Sequence, residues 1–146
     1  MWLSLLGLGF SKFAPGTVGS MFSAVLWWFF LSSLSLEVQL FSLIIYCWVS
    51  IHICDLVMKQ YELRDPSEVV ADEFAGMWLA LMFLPNNALL ALFSFIVFRL
   101  LDIVKPSVIG WLDREVHGGL GVMADDLLAG AVTALIIGLP VFLFGG

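Results

Sequence analysis

Basic residues are scarce in this chain. Six lysines and arginines stand against twelve aspartates and glutamates, which gives a net charge of −6. We therefore expect no nucleic-acid partner, because phosphate backbones favour a basic surface. The only two cysteines, Cys47 and Cys54, lie about 10 Å apart along a predicted helix. That separation exceeds the reach of a disulfide, and the spacing matches no metal motif. No basic leader with a small-residue cleavage site is present, so we expect no removable signal peptide.

Charge is absent altogether from long stretches of the chain. No charged residue occurs in residues 13–36, 38–54 or 74–98, or from residue 127 to the end. Hydrophobic residues make up 62% of the sequence, well above the roughly 45–50% of soluble domains. Several runs approach the roughly 20 apolar residues that a membrane-crossing helix needs. The composition indicates an integral membrane protein in a lipid bilayer, and a very apolar soluble bundle is the alternative.

The apolar runs predict one all-α domain over residues 1–146, a compact bundle of about five membrane helices. Residues 17–35 and 38–54 predict the first two helices. Residues 107–116 predict a short amphipathic helix at the interface. The glycine-rich residues 117–121 then predict a loop, followed by a last helix over about residues 124–139. The sequence leaves the oligomeric state open.

A helical hairpin is predicted over residues 66–105. Asp65-Pro66-Ser67-Glu68 is typical of a helix start, and Pro85-Asn86-Asn87 interrupts the apolar run that follows. Glu73 lies twelve residues before Pro85, and Arg99 lies twelve after Asn87. At about 1.5 Å per residue both lie about 18 Å from the turn. The hairpin should therefore bring Asp72 and Glu73 level with Arg99 and near Asp102.

Two series of small residues follow acids at helical spacing. Asp72 precedes Gly76 and Ala80, and Asp126 precedes Gly130, Ala134 and Gly138, each at intervals of four. Small residues at this spacing let membrane helices approach closely. Each series is therefore predicted to face another helix and to carry its acid inward.

Carboxylates clustered at helix ends suggest a site for a hard cation. Mg²⁺ is usually held by one or two carboxylates together with waters and substrate phosphate. Five acids are candidates: Asp72, Glu73, Asp102, Asp125 and Asp126. The alternative is that they form ion pairs with Arg99 and Lys105 that join helices. These two basic residues could instead bind phosphate, although Lys105 could also extend from a helix end to the membrane surface.

Two further residues are candidates for the same site. His117 precedes two glycines and is placed to act as a general acid or base, although a loop histidine is often only a polar surface residue. Thr17 lies in a segment with several glycines, residues 7–20, which leads into the first predicted helix. Backbone amides at such a helix start can hold an anion, so Thr17 is a candidate substrate-binding residue. A simple turn is the alternative.

Several motifs occur in a fixed order. They are Pro-Gly-Thr-x-Gly-Ser at 15–20, Asp-Glu-Phe-x-Gly-Met-Trp at 72–78, Phe-Arg-x-x-Asp-x-x-Lys-Pro at 98–106, Trp-Leu-Asp-Arg-x-x-His-Gly-Gly-x-Gly-Val-Met-x-Asp-Asp at 111–126, and Ala-Gly at 129–130. With these motifs the chain resembles the phosphatidylglycerophosphatase A family over nearly its whole length. The resemblance implies a Mg²⁺-dependent lipid phosphatase that converts phosphatidylglycerophosphate to phosphatidylglycerol. It matches Asp72, Glu73, Arg99, Asp102, Lys105, Asp113, His117, Asp125 and Asp126.

The residues and the resemblance together predict an enzyme at the bacterial inner membrane, with its site facing the cytoplasm. Basic residues near the predicted helix ends lie on one side, which the positive-inside rule makes cytoplasmic. The expected metal ligands are Glu73, Asp125 and Asp126, with Asp72 beside them. The expected catalytic residues are Asp72, Asp102 and His117, and the expected substrate-binding residues are Arg99, Lys105 and Thr17. A small ion or proton transporter that uses the same acids is the alternative function.

Overall fold

A computed structural model describes residues 14–61 and 69–144. Within these ranges the chain is helical and contains no strand, which confirms the predicted all-α class. The helices are α1 (Pro15–Phe29), a 3₁₀ turn (Leu31–Ser33), α2 (Leu36–Tyr61), α3 (Ala71–Leu81), α4 (Ala88–Val104), α5 (Ser107–Glu115) and α6 (Gly118–Phe144).

The first two predicted helices are present with shifted ends. Pro15 occupies the first turn of α1, where its missing N–H costs nothing. The predicted continuation to residue 35 is wrong, because a separate 3₁₀ turn follows α1. In contrast, α2 runs past the predicted end at residue 54 to Tyr61. No glycine or proline interrupts residues 36–61, so the polar residues beyond Cys54 continue the helix.

The predicted hairpin turn is confirmed, whereas its first helix is shorter than predicted. The Asn87 side chain caps α4 by accepting hydrogen bonds from the amides of Leu89 and Leu90. The predicted helix start at residues 65–68 lies outside the described residues. Val70 has non-helical backbone angles and α3 begins at Ala71. With 11 residues, α3 is about 16 Å long, about half the thickness of a bilayer core.

The end of the chain differs most from the sequence-based expectation. The predicted loop over residues 117–121 is wrong, because α6 already begins at Gly118 and runs to Phe144 with Pro140 inside it. Glycine weakens a helix through its backbone freedom, but here tight packing offsets that cost. A Cβ on Gly119 would overlap the Ile51 carbonyl oxygen of α2. The short predicted helix over residues 107–116 is confirmed as α5.

Two helices in the described ranges are long and apolar enough to cross a membrane: Leu36–Gln60 and Gly118–Phe144. In the most apolar 18-residue stretch of each helix, only 22% and 17% is buried inside the bundle. A core helix of a soluble protein would be mostly buried. These helices support a membrane protein. The larger number, five membrane helices, stays a prediction.

The core is centred on α3, which lies between α1, α4 and α6. Eight of its 11 residues are buried. The two small-residue series face each other, because a Cβ on Gly130 of α6 would overlap the carbonyl oxygen of Gly76 in α3. The prediction that each series packs against another helix is therefore confirmed. This crossing sets the spacing between the acids that precede each glycine.

Candidate active site

Three carboxylates come together where α3 meets α6. Asp72 and Glu73 lie in the first turn of α3, and Asp126 lies on the buried side of α6. One oxygen from each side chain lies within 4.8 Å of the others. We call these three residues the acidic trio. Glu73 and Asp126 were expected as metal ligands, and Asp72 joins them.

Asp125, the other expected ligand, has a different neighbour. Its carboxylate accepts a hydrogen bond of 2.6 Å from Lys105 Nζ. Consecutive residues on a helix point about 100° apart, so Asp125 and Asp126 point in different directions, and only Asp126 joins the group with Asp72 and Glu73. The sequence pair Asp125-Asp126 is thus divided between two parts of the site.

Each carboxylate of the trio has a buried oxygen that no described residue hydrogen bonds. Asp72 Oδ1, Glu73 Oε2 and Asp126 Oδ2 are buried and have no hydrogen-bond partner among the described residues. Burial, followed by the charge of Glu73, raises the pKa of Asp72 well above its ordinary value. Burial also raises the pKa of Glu73. Buried carboxylates this close repel one another, and a bound cation would relieve the repulsion. Oxygen ligands in this arrangement fit a hard divalent ion.

Arg99 lies beside the trio, as the hairpin geometry predicted. A Cβ on Gly16 of α1 would overlap Glu73 Oε1 and lie 3.1 Å from Arg99 Nη1. Arg99 pairs with Asp102 one turn later on α4 and donates a hydrogen bond of 3.4 Å to the Ser20 hydroxyl. Asp102 also interacts with Asp126. The expected residues Arg99 and Asp102 are therefore part of one charge network with the trio.

Lys105 joins three helices. It ends α4 in a left-handed conformation, with φ 46° and ψ 59°. Its Nζ donates to Asp113 of α5 at 2.5 Å and to Asp125 of α6 at 2.6 Å. Burial lowers the pKa of Lys105, but the two carboxylates outweigh it and raise the net pKa above the ordinary value. Ion pairing, the alternative given for the five acids, thus holds for two of them, Asp102 and Asp125.

A cleft of about 340 Å³ opens beside these groups. It brings together four expected site residues: Asp72, Lys105, His117 and Asp125. Asp72 belongs to both the cleft and the trio. The other residues that line the cleft are Met58, Asp113, Val116, Gly118, Gly121 and Val122.

His117 lies at the exposed rim of the cleft, between α5 and α6. Its Nδ1 lies 3.0 Å from the carbonyl oxygen of Glu115. Since a carbonyl only accepts, Nδ1 must carry the hydrogen in this contact. Nε2 then remains to hold or release a proton at the cleft. Thr17 lies in the first turn of α1, next to Gly16, and does not line the cleft.

Three residues of the site had no assigned role in the sequence: Asp113, Ser20 and Asp55. Asp113 and Ser20 lie within the quoted motifs, but only folding brings them to Lys105 and Arg99. Asp55 accepts a hydrogen bond of 2.6 Å from the amide of Gly119, 64 residues away. No local pattern signals a partner at that separation.

Comparisons with known proteins agree with the resemblance. A sequence model of the phosphatidylglycerophosphatase A family matches residues 1–141. Phosphatidylglycerophosphatase A of Escherichia coli K12 is 40% identical over 134 residues, which cover 90% of this chain and 76% of that protein. The Haemophilus influenzae protein of the same name is 32% identical over 142 residues, covering 92% and 85%.

A third relative carries a different name. A Bacteroides thetaiotaomicron protein provisionally named phosphatidylinositol-3-phosphatase is 33% identical over 146 residues, which cover 95% of this chain and 91% of that protein. No solved structure matches the chain significantly. The family match spans all the motifs and every residue of the site described above. The chain therefore belongs to the phosphatidylglycerophosphatase A family.

Proposed function

We propose that this protein hydrolyses the phosphomonoester of phosphatidylglycerophosphate to phosphatidylglycerol and phosphate during bacterial phospholipid synthesis. Two relatives bear the name of this activity. The observation that carries the proposal is the position of Asp72. Asp72 belongs to a carboxylate trio that suits a cation, and it also lines the cleft together with Lys105 and His117.

The proposed cofactor is Mg²⁺, and the residues that would hold it are Asp72, Glu73 and Asp126. Their unpartnered buried oxygens supply the hard ligands that this ion prefers. When bound, the ion supplies Lewis-acid polarisation of the phosphate and a more acidic water. This ligand set replaces Asp125 of the sequence-based expectation with Asp72, because Asp125 is hydrogen bonded to Lys105.

Lys105 and Arg99 offset the negative charge of the phosphoryl group. Fixed cations near the transferring group stabilise the charge that develops in the transition state. Lys105 faces the cleft and has one exposed partner, Asp113, with a side chain that is 41% exposed. A phosphate oxygen can displace Asp113 from Lys105 while Asp125 keeps the ammonium in place. Arg99, held by Asp102 and Ser20, acts from the side of Glu73.

His117 completes the reaction by protonating the leaving group. A water oxygen bonds to phosphorus, the bond from phosphorus to the glycerol oxygen breaks, and His117 Nε2–H gives its proton to the departing alkoxide. The phosphate that forms carries the two hydrogens of the water and returns one of them to His117 Nε2. Nδ1 keeps its hydrogen bond to Glu115 throughout. A carboxylate nucleophile is the alternative mechanism, and Asp72 at the cleft wall is placed for it: its oxygen would bond to phosphorus as the bond to the glycerol oxygen breaks, and water would then hydrolyse the acyl-phosphate and restore the carboxylate. Asp102, paired with Arg99, orients that guanidinium.

The site is proposed to face the cytoplasm of the bacterial inner membrane. Lys59, Lys105 and Arg114 lie at the helix ends near the cleft, as the positive-inside rule requires. The opposite end carries the Asn86–Ser32 hydrogen bond and no basic residue among those described. Apart from Glu37, the described acids collect at one end of the bundle, and no comparison favours the transporter.

Phosphate release from purified protein tests the proposal. With phosphatidylglycerophosphate in detergent micelles, we expect release that requires Mg²⁺ and is abolished by EDTA. Glu73→Gln should lose phosphate release, whereas Glu37→Gln should keep it. Glu37 is exposed and lies about 27 Å along α2 from Asp55, which contacts the start of α6 beside the cleft. Phosphatidylinositol 3-phosphate as a second substrate tests head-group selection. A Glu73→Gln protein with wild-type turnover would refute the proposed site.

A further inference from the structure

The N-terminus of α6 is capped from a different helix. The first amides of a helix lack partners within it, and the residue before the first turn usually supplies an acceptor. Here that residue is His117, whose ring instead contacts the Glu115 carbonyl. Asp55 of α2 takes over this role, because its Oδ1 accepts from the Gly119 amide at 2.6 Å.

The first turn of α6 is shaped to admit this carboxylate. Gly118 has φ 80°, a conformation that L side chains rarely adopt, and a Cβ there would lie 2.9 Å from Asp55 Oδ1. A Cβ on Gly119 would overlap the Ile51 carbonyl oxygen and lie 3.1 Å from Cys54 Cβ. The two glycines therefore let α6 dock against α2 with the carboxylate between them.

This docked turn forms one wall of the cleft. Val116, His117, Gly118, Gly121 and Val122 all line the cleft, and Asp55 does not. Asp72 of α3 and Lys105 at the end of α4 line the same cleft. The hydrogen bond from the Gly119 amide to Asp55 thus holds α2 against the cleft wall that carries His117.

We propose that Asp55 is a positioning residue for the reaction. By capping α6 from α2, it holds His117 at the distance from Asp72 and Lys105 that the phosphoryl group requires. This inference rests on the proposed function, since it assumes that the cleft binds the phosphate. Misplacing a catalytic group by about 1 Å can cost up to roughly a hundredfold in rate, so loss of the cap should affect turnover more than stability.

Three variants separate positioning from simple stabilisation. Asp55→Ala removes the acceptor and should lower kcat/KM for phosphatidylglycerophosphate by roughly tenfold or more, mainly through kcat. Asp55→Asn keeps an acceptor and should remain within about twofold of wild type, because Asn and Asp are comparable caps. Asn87→Ala is the matched control, since it removes the cap of α4 at the opposite end. It should lower the thermal midpoint without changing kcat/KM.

Hydrogen exchange supplies a readout that does not depend on activity. In Asp55→Ala the amides of residues 118–121 should exchange faster, whereas Asn87→Ala should leave them unchanged. Asp55→Ser, with a side chain too short to reach Gly119, serves if the alanine variant does not fold. Unchanged exchange, or equal effects of Asp55→Ala and Asn87→Ala on kcat/KM, would overturn the inference. A wild-type protein without phosphatase activity but with the expected exchange pattern would instead overturn the proposed function.

Discussion

Gly130 of α6 lies directly against the backbone carbonyl of Gly76 in α3, so closely that a Cβ on Gly130 would overlap the oxygen. A backbone oxygen cannot rotate away as the end of a side chain can. Asp72 and Asp126 each precede one of these glycines by one helical turn. The contact between the two glycines therefore fixes the distance between two carboxylates of the trio.

Gly130→Ala should separate α3 from α6 and disturb the trio. Overpacking of this kind costs about 1–3 kcal/mol, which exceeds the gain of up to about 1 kcal/mol from replacing glycine in a helix. We expect a lower thermal midpoint and a large loss of phosphate release. Gly138→Ala in the same series is the control, because its Cβ would meet only Leu84 Cδ2, at 3.5 Å. Equal effects of the two changes would be inconsistent with the close crossing.

Asp125 and Asp126 are adjacent, yet their replacement should have different consequences. Asp126→Asn removes a ligand from the trio and should abolish tight binding of Mn²⁺, used as a paramagnetic substitute for Mg²⁺. Asp125→Asn disturbs only the partner of Lys105 and should leave Mn²⁺ affinity within about threefold, an effect below 1 kcal/mol. Titration followed by electron paramagnetic resonance measures both. Loss of binding in Asp125→Asn alone would restore Asp125 as the ligand.

Lys105 and Asp125 should show strong coupling in stability. Asp125 has a side chain only 6% exposed, so Lys105→Met leaves it buried without its cation. A buried group that loses its partner costs about 1–3 kcal/mol, and we expect a loss of that size in the free energy of unfolding. The double variant Lys105→Met/Asp125→Asn should recover part of it. Additive losses, measured by denaturant titration in detergent, would show that the pair contributes no coupling.

The stability of cation-free protein should depend on pH through Asp72. Burial raises the pKa of this carboxyl, so the folded state keeps a proton that the unfolded chain loses near pH 4. The folded state then binds more protons than the unfolded state, and the free energy of unfolding falls as pH rises from about 4 towards the raised pKa. In EDTA, the thermal midpoint of wild type relative to Asp72→Asn should therefore fall across this window.

Mg²⁺ should reverse that trend, because it binds the ionised carboxylates and releases their protons. The stabilisation by Mg²⁺ should therefore be larger at pH 7.5 than at pH 5. A wild-type midpoint that rises with pH in EDTA, relative to Asp72→Asn, would contradict the raised pKa.

The sequence predicted the elements whose signals are local. Pro85-Asn86-Asn87 marked the hairpin turn, and the turn-to-acid spacing correctly placed Glu73 beside Arg99. Intervals of four between small residues correctly predicted that α3 and α6 pack through them. Each of these inferences needs only helix geometry and one neighbouring element.

The features that sequence reasoning missed depend on distant contacts. Residues 118–121 read as a loop because glycine disfavours helix, yet docking against α2 and the Asp55 cap make them the first turn of α6. The division of Asp125 from Asp126 depends on how α6 is rotated against α3 and Lys105. No local pattern fixes that rotation, so both adjacent acids were expected to be metal ligands.

Locating Mn²⁺ by anomalous scattering in crystals of the detergent-solubilised protein tests the acidic trio most directly. We predict one dominant peak within bonding distance of Asp72, Glu73 and Asp126, on the side of the trio that opens to the cleft. A peak held by Asp125 and Asp113 instead, or no peak near α3 under conditions that support phosphate release, would contradict the assignment.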